Sequence, residues 1–164
     1  MKKIAVVLAG CGVYDGAEIH EATLSLLAIA RAGATYKVFA PDVQQHHVIN
    51  HLNGEEMNES RNVLVEAARI ARGDISDLDE FDPGMFDGLL FPGGFGAAKN
   101  LSNWAFDGPG ATVLPGVEKA ISGMVSLEKP IGALCISPVI LAKVLGDVTL
   151  TIGQDEATAS AVES

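Results

Sequence analysis

The sequence predicts one α/β domain in which a doubly wound parallel sheet lies between two layers of helices, a three-layer sandwich. Three observations predict it. Short apolar runs without polar alternation recur along the chain, as strands buried on both faces require. Amphipathic stretches of helical period fall between them, and alternating strand and helix specify parallel pairing with helices on both faces. Glycine-rich turns follow the runs at residues 10–16 and 92–96, where such sheets present their ligand sites.

Residues 4–9, Ile-Ala-Val-Val-Leu-Ala, form the first run and end in Gly10-Cys11-Gly12. Residues 18–32 contain no Gly or Pro and place Ile19, Ala22, Leu26, Ile29 and Ala30 at helical spacing, with Gly33 as the stop. Residues 35–40 are a second strand closed by Pro41-Asp42, which completes a β-α-β unit. The polar stretch 44–58 holds three of the four histidines, has no period and is expected to pass over the top of the sheet. Residues 60–72 give a helix capped by Ser60, with Gly73 beyond its end. An acidic loop follows over 77–87, then a third strand at 88–91 and a short helix at 97–104. Residues 113–127 are helical. A fourth strand at 131–134 passes directly through Cys135 into a helix at 137–145, and residues 148–152 are expected to form a fifth strand. Neither a repeat nor a linker interrupts the 164 residues, so 1–164 reads as one domain.

With 48 % hydrophobic and 20 % charged residues, the chain has the apolar content for a continuous core. Its 11 basic against 21 acidic residues leave a net charge of −10, with no basic cluster beyond Lys2-Lys3. Nucleic acid and anionic membrane surfaces are therefore not its expected partners; small molecules or proteins are. Lys2-Lys3, six apolar residues and Leu8-Ala-Gly-Cys11 have the outline of a lipoprotein signal, but six undershoots the ~7–15 of a secretory core, which favours a buried strand. Two cysteines at no metal-ligand spacing suit a reducing compartment, and the expectation is a cytoplasmic protein.

Cys135 carries the most chemical information. It stands between an apolar strand and a helix with no intervening loop, the setting of a nucleophile elbow, although Ser137 replaces the second glycine of that pattern. A helix N-terminus offers free N–H groups that favour a thiolate; the competing reading is a buried cysteine acting as a small hydrophobe. Pro92-Gly93-Gly94-Phe95-Gly96 supplies backbone N–H groups suited to an oxyanion site, or simply a tight turn. Residues 10–16 miss the dinucleotide fingerprint, because Asp15 stands at the third glycine position and its charge would face a pyrophosphate. Glu18 and Glu21 lie on one face of the first helix, at the same edge as the elbow. His47 and His51 are four apart but have no third ligand, so neither metal nor any other cofactor is expected.

Together, Gly16-Ala17-Glu18-x-x-Glu21, Phe91-Pro-Gly-Gly94-x-Gly-Ala-x-Lys99-Asn100-Leu101 and Gly132-Ala-Leu-Cys135-x-x-Pro138 resemble the ThiJ/PfpI superfamily of class I glutamine amidotransferase-like proteins, whose fold is flavodoxin-like. The strings at residues 10–16, 48–52 and 92–102 resemble its ElbB branch of glyoxalase-like, enhancing-lycopene-biosynthesis proteins, linked to isoprenoid metabolism. The resemblance implies Cys135 as nucleophile, Glu21 as the acid hydrogen-bonded to it, and the N–H groups of Gly93, Gly94 and Ile136 as the oxyanion site. It also implies a further strand and a terminal helix beyond the last residue of this sequence. The superfamily's downstream histidine has no counterpart, since His51 is the last. Amidotransferase chemistry needs that base. A weak, glutathione-independent glyoxalase-type lyase does not, and is the expected activity, with a small carbonyl metabolite as its ligand and a homodimer as its expected assembly; the alternative is a non-enzymatic redox-sensing or metabolite-binding protein.

Overall fold

The computed structural model describes residues 1–163. Its sheet is all parallel, with strands β1 (Lys3–Val7), β2 (Thr35–Ala40), β3 (Ile75–Asp77), β4 (Gly88–Phe91) and β5 (Ile131–Ala133) in the order β3-β2-β1-β4-β5. Apart from the three-residue edge strand β3, this is the flavodoxin-like arrangement, and its direction of winding reverses between β1 and β4. The register sets Val6 of β1 opposite Val38 on one side and Leu90 on the other.

Alternation along β1 splits the core in two, because successive side chains of a strand point to opposite faces. Ala5, Val7 and Ala9 join Val117, Ile121, Met124 and Ile140 of helices α5 (Pro115–Ser126) and α6 (Pro138–Leu145). Val6 and Leu8 join Ala22 and Leu26 of α1 (Ile19–Arg31), and Val63 and Ala67 of α2 (Val63–Ala71). Residues 5–9 are almost wholly buried, as a strand covered on both faces must be.

Four elements differ from expectation. The cap of α2 is Asn62, whose side chain accepts from the Val65 N–H at 3.0 Å, and not Ser60. β3 pairs with Val38–Ala40 where the sequence offered only the start of an acidic loop. Residues 148–152 keep their alternation, with Leu150 and Ile152 packed on the core, but form no ladder. They lead through Gly153, at φ 77°, to α7 (Glu156–Glu163). One buried face satisfies alternating apolar side chains whether or not the backbone pairs with a strand.

The short helix expected at 97–104 is two helices, α3 (Phe95–Lys99) and α4 (Trp104–Asp107). No helix of the described residues is long and apolar enough to cross a membrane.

Candidate active site

Every element of the site meets at Gly93. Its N–H donates to Glu21 Oε2 at 2.8 Å, and its carbonyl accepts from the Glu18 N–H at 2.8 Å, so the first turn of α1 holds both sides of the residue. A Cβ on Gly93 would collide with Cys135 Cβ and come 2.5 Å from Glu21 Oε2. Only glycine lets the turn, the carboxylate and the elbow approach this closely. Glu21 and Cys135, more than a hundred positions apart in sequence, thus both close on the place where a side chain of residue 93 would stand.

The elbow has the backbone that its position requires. Cys135 has φ 55°, the left-handed region, which for a non-glycine residue costs about 1–2 kcal/mol. Two bonds hold it there: the Leu134 N–H donates to Phe91 O at 3.0 Å, and the buried Ser137 hydroxyl donates to Pro92 O at 2.8 Å. Because Ser137 reaches back to the neighbouring turn, it does not cap α6. The N–H groups of Cys135 and Ile136 have no acceptor among the described residues, and neither has that of Gly94. Gly94, at φ 100°, lies so close to Gly16 O and Glu18 N that a side chain has no room.

Two details depart from the expected arrangement. Glu21 binds the Gly93 N–H and forms no hydrogen bond with Cys135 Sγ. For the same reason Gly93 has no N–H to offer an oxyanion, which leaves those of Gly94 and Ile136. Cys135 itself is exposed, not a buried hydrophobe, and opens on a cavity of about 620 Å³. The cavity also touches Gly94, Phe95 and Ile136, and is closed on one side by Ile152, Asp155 and Thr158. Glu21 is not part of this lining, but its Oε2 crowds the same point beside Gly93 as Cys135 Cβ does.

The wall around Asp155 was not foreseen. Asp155 begins α7 by accepting from the Thr158 N–H at 3.1 Å, and also from its hydroxyl, and these bonds hold its carboxyl below the usual range. Aspartate is a preferred residue at the position before a helix, so this start signal was present in the sequence.

The glycine-rich turn at 10–16 serves the scaffold. Asp15, buried at its end, accepts from the Ile49 N–H at 2.7 Å. Asn100 Nδ2 donates to Ala9 O and Asp15 O, both at 2.9 Å, while its oxygen accepts from the His46 N–H at 3.0 Å. The polar segment 44–58 is tied down in this way. His51 stacks on Tyr14 and His47 lies against Phe106, so neither approaches Cys135 as a base. No group of three or more potential metal ligands occurs among the described residues.

The first turn of α1 is itself charged. Burial pushes the Glu18 carboxyl up, but the Glu21 N–H at 2.6 Å and the His20 ring at 2.8 Å outweigh it and hold the group below its ordinary value.

No family model matches the chain. It is 52 % identical over 155 residues to a human protein named glutamine amidotransferase-like class 1 domain-containing protein 3, mitochondrial, covering 94 % of this chain and 58 % of that one. A crystal structure from Ehrlichia chaffeensis, described as an isoprenoid biosynthesis protein with an amidotransferase-like domain, superposes with a TM-score of 0.84 at 44 % identity. That match covers 90 % of this chain and 70 % of the other. A DJ-1 superfamily protein from Agrobacterium tumefaciens shares the fold at a TM-score of 0.55 and 19 % identity, over 98 % of this chain and 68 % of its own. The chain thus spans just under three fifths of the human relative's length. The cytoplasmic expectation does not stand, because the human, rat and zebrafish relatives are all named mitochondrial. A low cysteine count reports a reducing environment, which is not peculiar to the cytoplasm. The chain belongs to the glutamine amidotransferase-like superfamily of these relatives and shares its fold with DJ-1 superfamily structures.

Proposed function

We propose that this member of the superfamily is a weak, cofactor-independent glyoxalase-type lyase in which Cys135 is the nucleophile and Glu21 the proton carrier. The observation that carries this reading is the convergence of an exposed elbow cysteine and a carboxylate on Gly93, beside a cavity sized for a small metabolite. The Cys135 thiolate adds to the aldehyde carbon of methylglyoxal, and the new alkoxide is received by the N–H groups of Gly94 and Ile136 and then protonated. Glu21 Oε1, which has no partner among the described residues, takes the hydrogen of the former aldehyde carbon as a proton and returns it to the adjacent carbon. The product of that transfer is a thioester of a 2-hydroxy acid. Water cleaves it, releasing lactate and the thiol. One carbon is oxidised and its neighbour reduced, so no external oxidant is needed.

Lactate formation from methylglyoxal by the purified chain tests the proposal. Cys135→Ala should abolish it and Glu21→Gln should reduce it by about a hundredfold or more, as loss of a general acid–base does. Turnover that survives Cys135→Ala overturns it. The exposure of Cys135 favours a second reading, a redox sensor, in which peroxide oxidises the thiolate to a sulfenic acid. A protein that gains one oxygen at Cys135 under peroxide, yet consumes no methylglyoxal, supports that reading instead.

A further inference from the structure

Beside the Cys135 cavity lies a second one, of about 470 Å³, lined by Tyr14, Ile49, Gly54, Phe95, Lys99 and Ala105. Phe95 is a wall of both, and the consecutive residues Val13 and Tyr14 line one cavity each. Lys99 is the only cation among the described residues lining either. It is half-buried, burial lowers its affinity for a proton, and no carboxylate lies within 4 Å of it in a chain of net charge −10. Asp15 and Glu56 act on it only at longer range. One of its three N–H donors is used, on Tyr14 O at 2.8 Å, and its Nζ lies 5.6 Å from the centre of the Phe95 ring. An ammonium partly withdrawn from water, with donors to spare and no counter-ion, favours an incoming anion.

We infer that the second cavity is the carboxylate subsite of the Cys135 site, and that the preferred ligands are short aldehyde acids with the carbonyl at Cys135 and the carboxylate at Lys99. This deepens the proposed function and rests on Cys135 being the nucleophile. Helix α3 runs from Phe95, beside the elbow, to Lys99, a rise of about 6 Å; roughly two to four methylenes between the two groups span it. Succinic semialdehyde has this form, whereas methylglyoxal reaches only the first cavity.

Labelling with two maleimides separates this inference from its foundation. N-Ethylmaleimide is neutral and maleimidopropionate carries a carboxylate; both alkylate thiols, and mass spectrometry reads Cys135 and Cys11 in one sample. The ratio of anionic to neutral rate should be about fivefold higher at Cys135 than at Cys11, the upper end for a half-exposed ion pair. Lys99→Arg should keep that preference and Lys99→Met should remove it, with the neutral rate at Cys135 unchanged as the check on folding. Succinic semialdehyde should slow the labelling of Cys135 at lower concentration than butanal does, again only while residue 99 is cationic. Equal ratios at the two cysteines, or a preference that survives Lys99→Met, overturn the inference and leave the nucleophile standing. A Cys135 inert to both reagents overturns the nucleophile and the inference together.

Discussion

Cys11 and Cys135 each follow a parallel strand at the same edge of the sheet, yet their surroundings oppose each other. Cys11 sits in a turn closed on itself, where Gly12 donates to Ala17 O and the 44–58 segment lies above. Burial, then the negative charges of Glu66 and Asp15 against the single opposing charge of Arg69, push its thiol pKa up. Cys135 is exposed at φ 55°, beside N–H groups that have no acceptor. A position at the switch-point edge is therefore not enough to make a cysteine a nucleophile. The thiol also has to be exposed and to stand at the start of a helix, and of the two cysteines Cys135 alone meets both conditions.

The largest effect is expected where the elbow is packed most tightly. Gly93→Ala brings a methyl into Cys135 and the Glu21 carboxylate, and should cost about 3 kcal/mol in urea unfolding. It should also slow alkylation of Cys135 while leaving Cys11 unaffected. Ser137→Ala removes the hydroxyl that ties the elbow to Pro92 and leaves a buried carbonyl unpaired, a loss of about 1–2 kcal/mol. If the elbow depends on that tie, the difference in reactivity between the two cysteines shrinks along with stability.

Glu18→Gln should cost about 0.5–1 kcal/mol at neutral pH through the first turn of α1. Because the folded carboxyl titrates below its ordinary value, the stability it adds is present above about pH 4.3 and is lost as pH falls through the folded pKa. Wild type and variant should therefore converge in acid. Glu66→Gln should give the smallest change, roughly doubling the neutral-pH alkylation rate of Cys11 by removing a nearby negative charge. The same substitution should leave Cys135 unaltered.

Much of this was legible in the sequence because strong local signals and the tertiary structure agree. Unalternating runs gave β1 and β4, glycine-marked ends bounded α1, and the abrupt passage from strand to helix marked Cys135. The misses lie where a local signal is weak or serves two structures. β3 has three residues, Ile75–Asp77, and exists only through its pairing with β2, which no short run reveals. Residues 148–152 alternate as a strand does because one of their faces packs on the core, but no neighbour pairs with their backbone. That Glu21 would reach the elbow came from the resemblance and from topology, whereas its grip on the Gly93 N–H required knowing which donor lay nearer than the sulfur. The stray cation at Lys99 was hidden for a similar reason, since the lack of a counter-ion is a property of three-dimensional neighbours.

The central claim is that the elbow, and not the edge of the sheet, makes a cysteine reactive, and one measurement tests it directly. Iodoacetamide is applied at neutral pH in limiting amount, and the modified fractions of Cys135 and Cys11 are followed by peptide mass spectrometry, first in buffer and then in denaturing urea. Cys135 should label at least about tenfold faster than Cys11 in the folded chain, the size of effect that a single unit of thiol pKa produces, and the ratio should fall towards one in urea. Equal rates in the folded protein would contradict the account, since the exposure, the helix start and the φ of 55° would then confer nothing on Cys135 that Cys11 lacks.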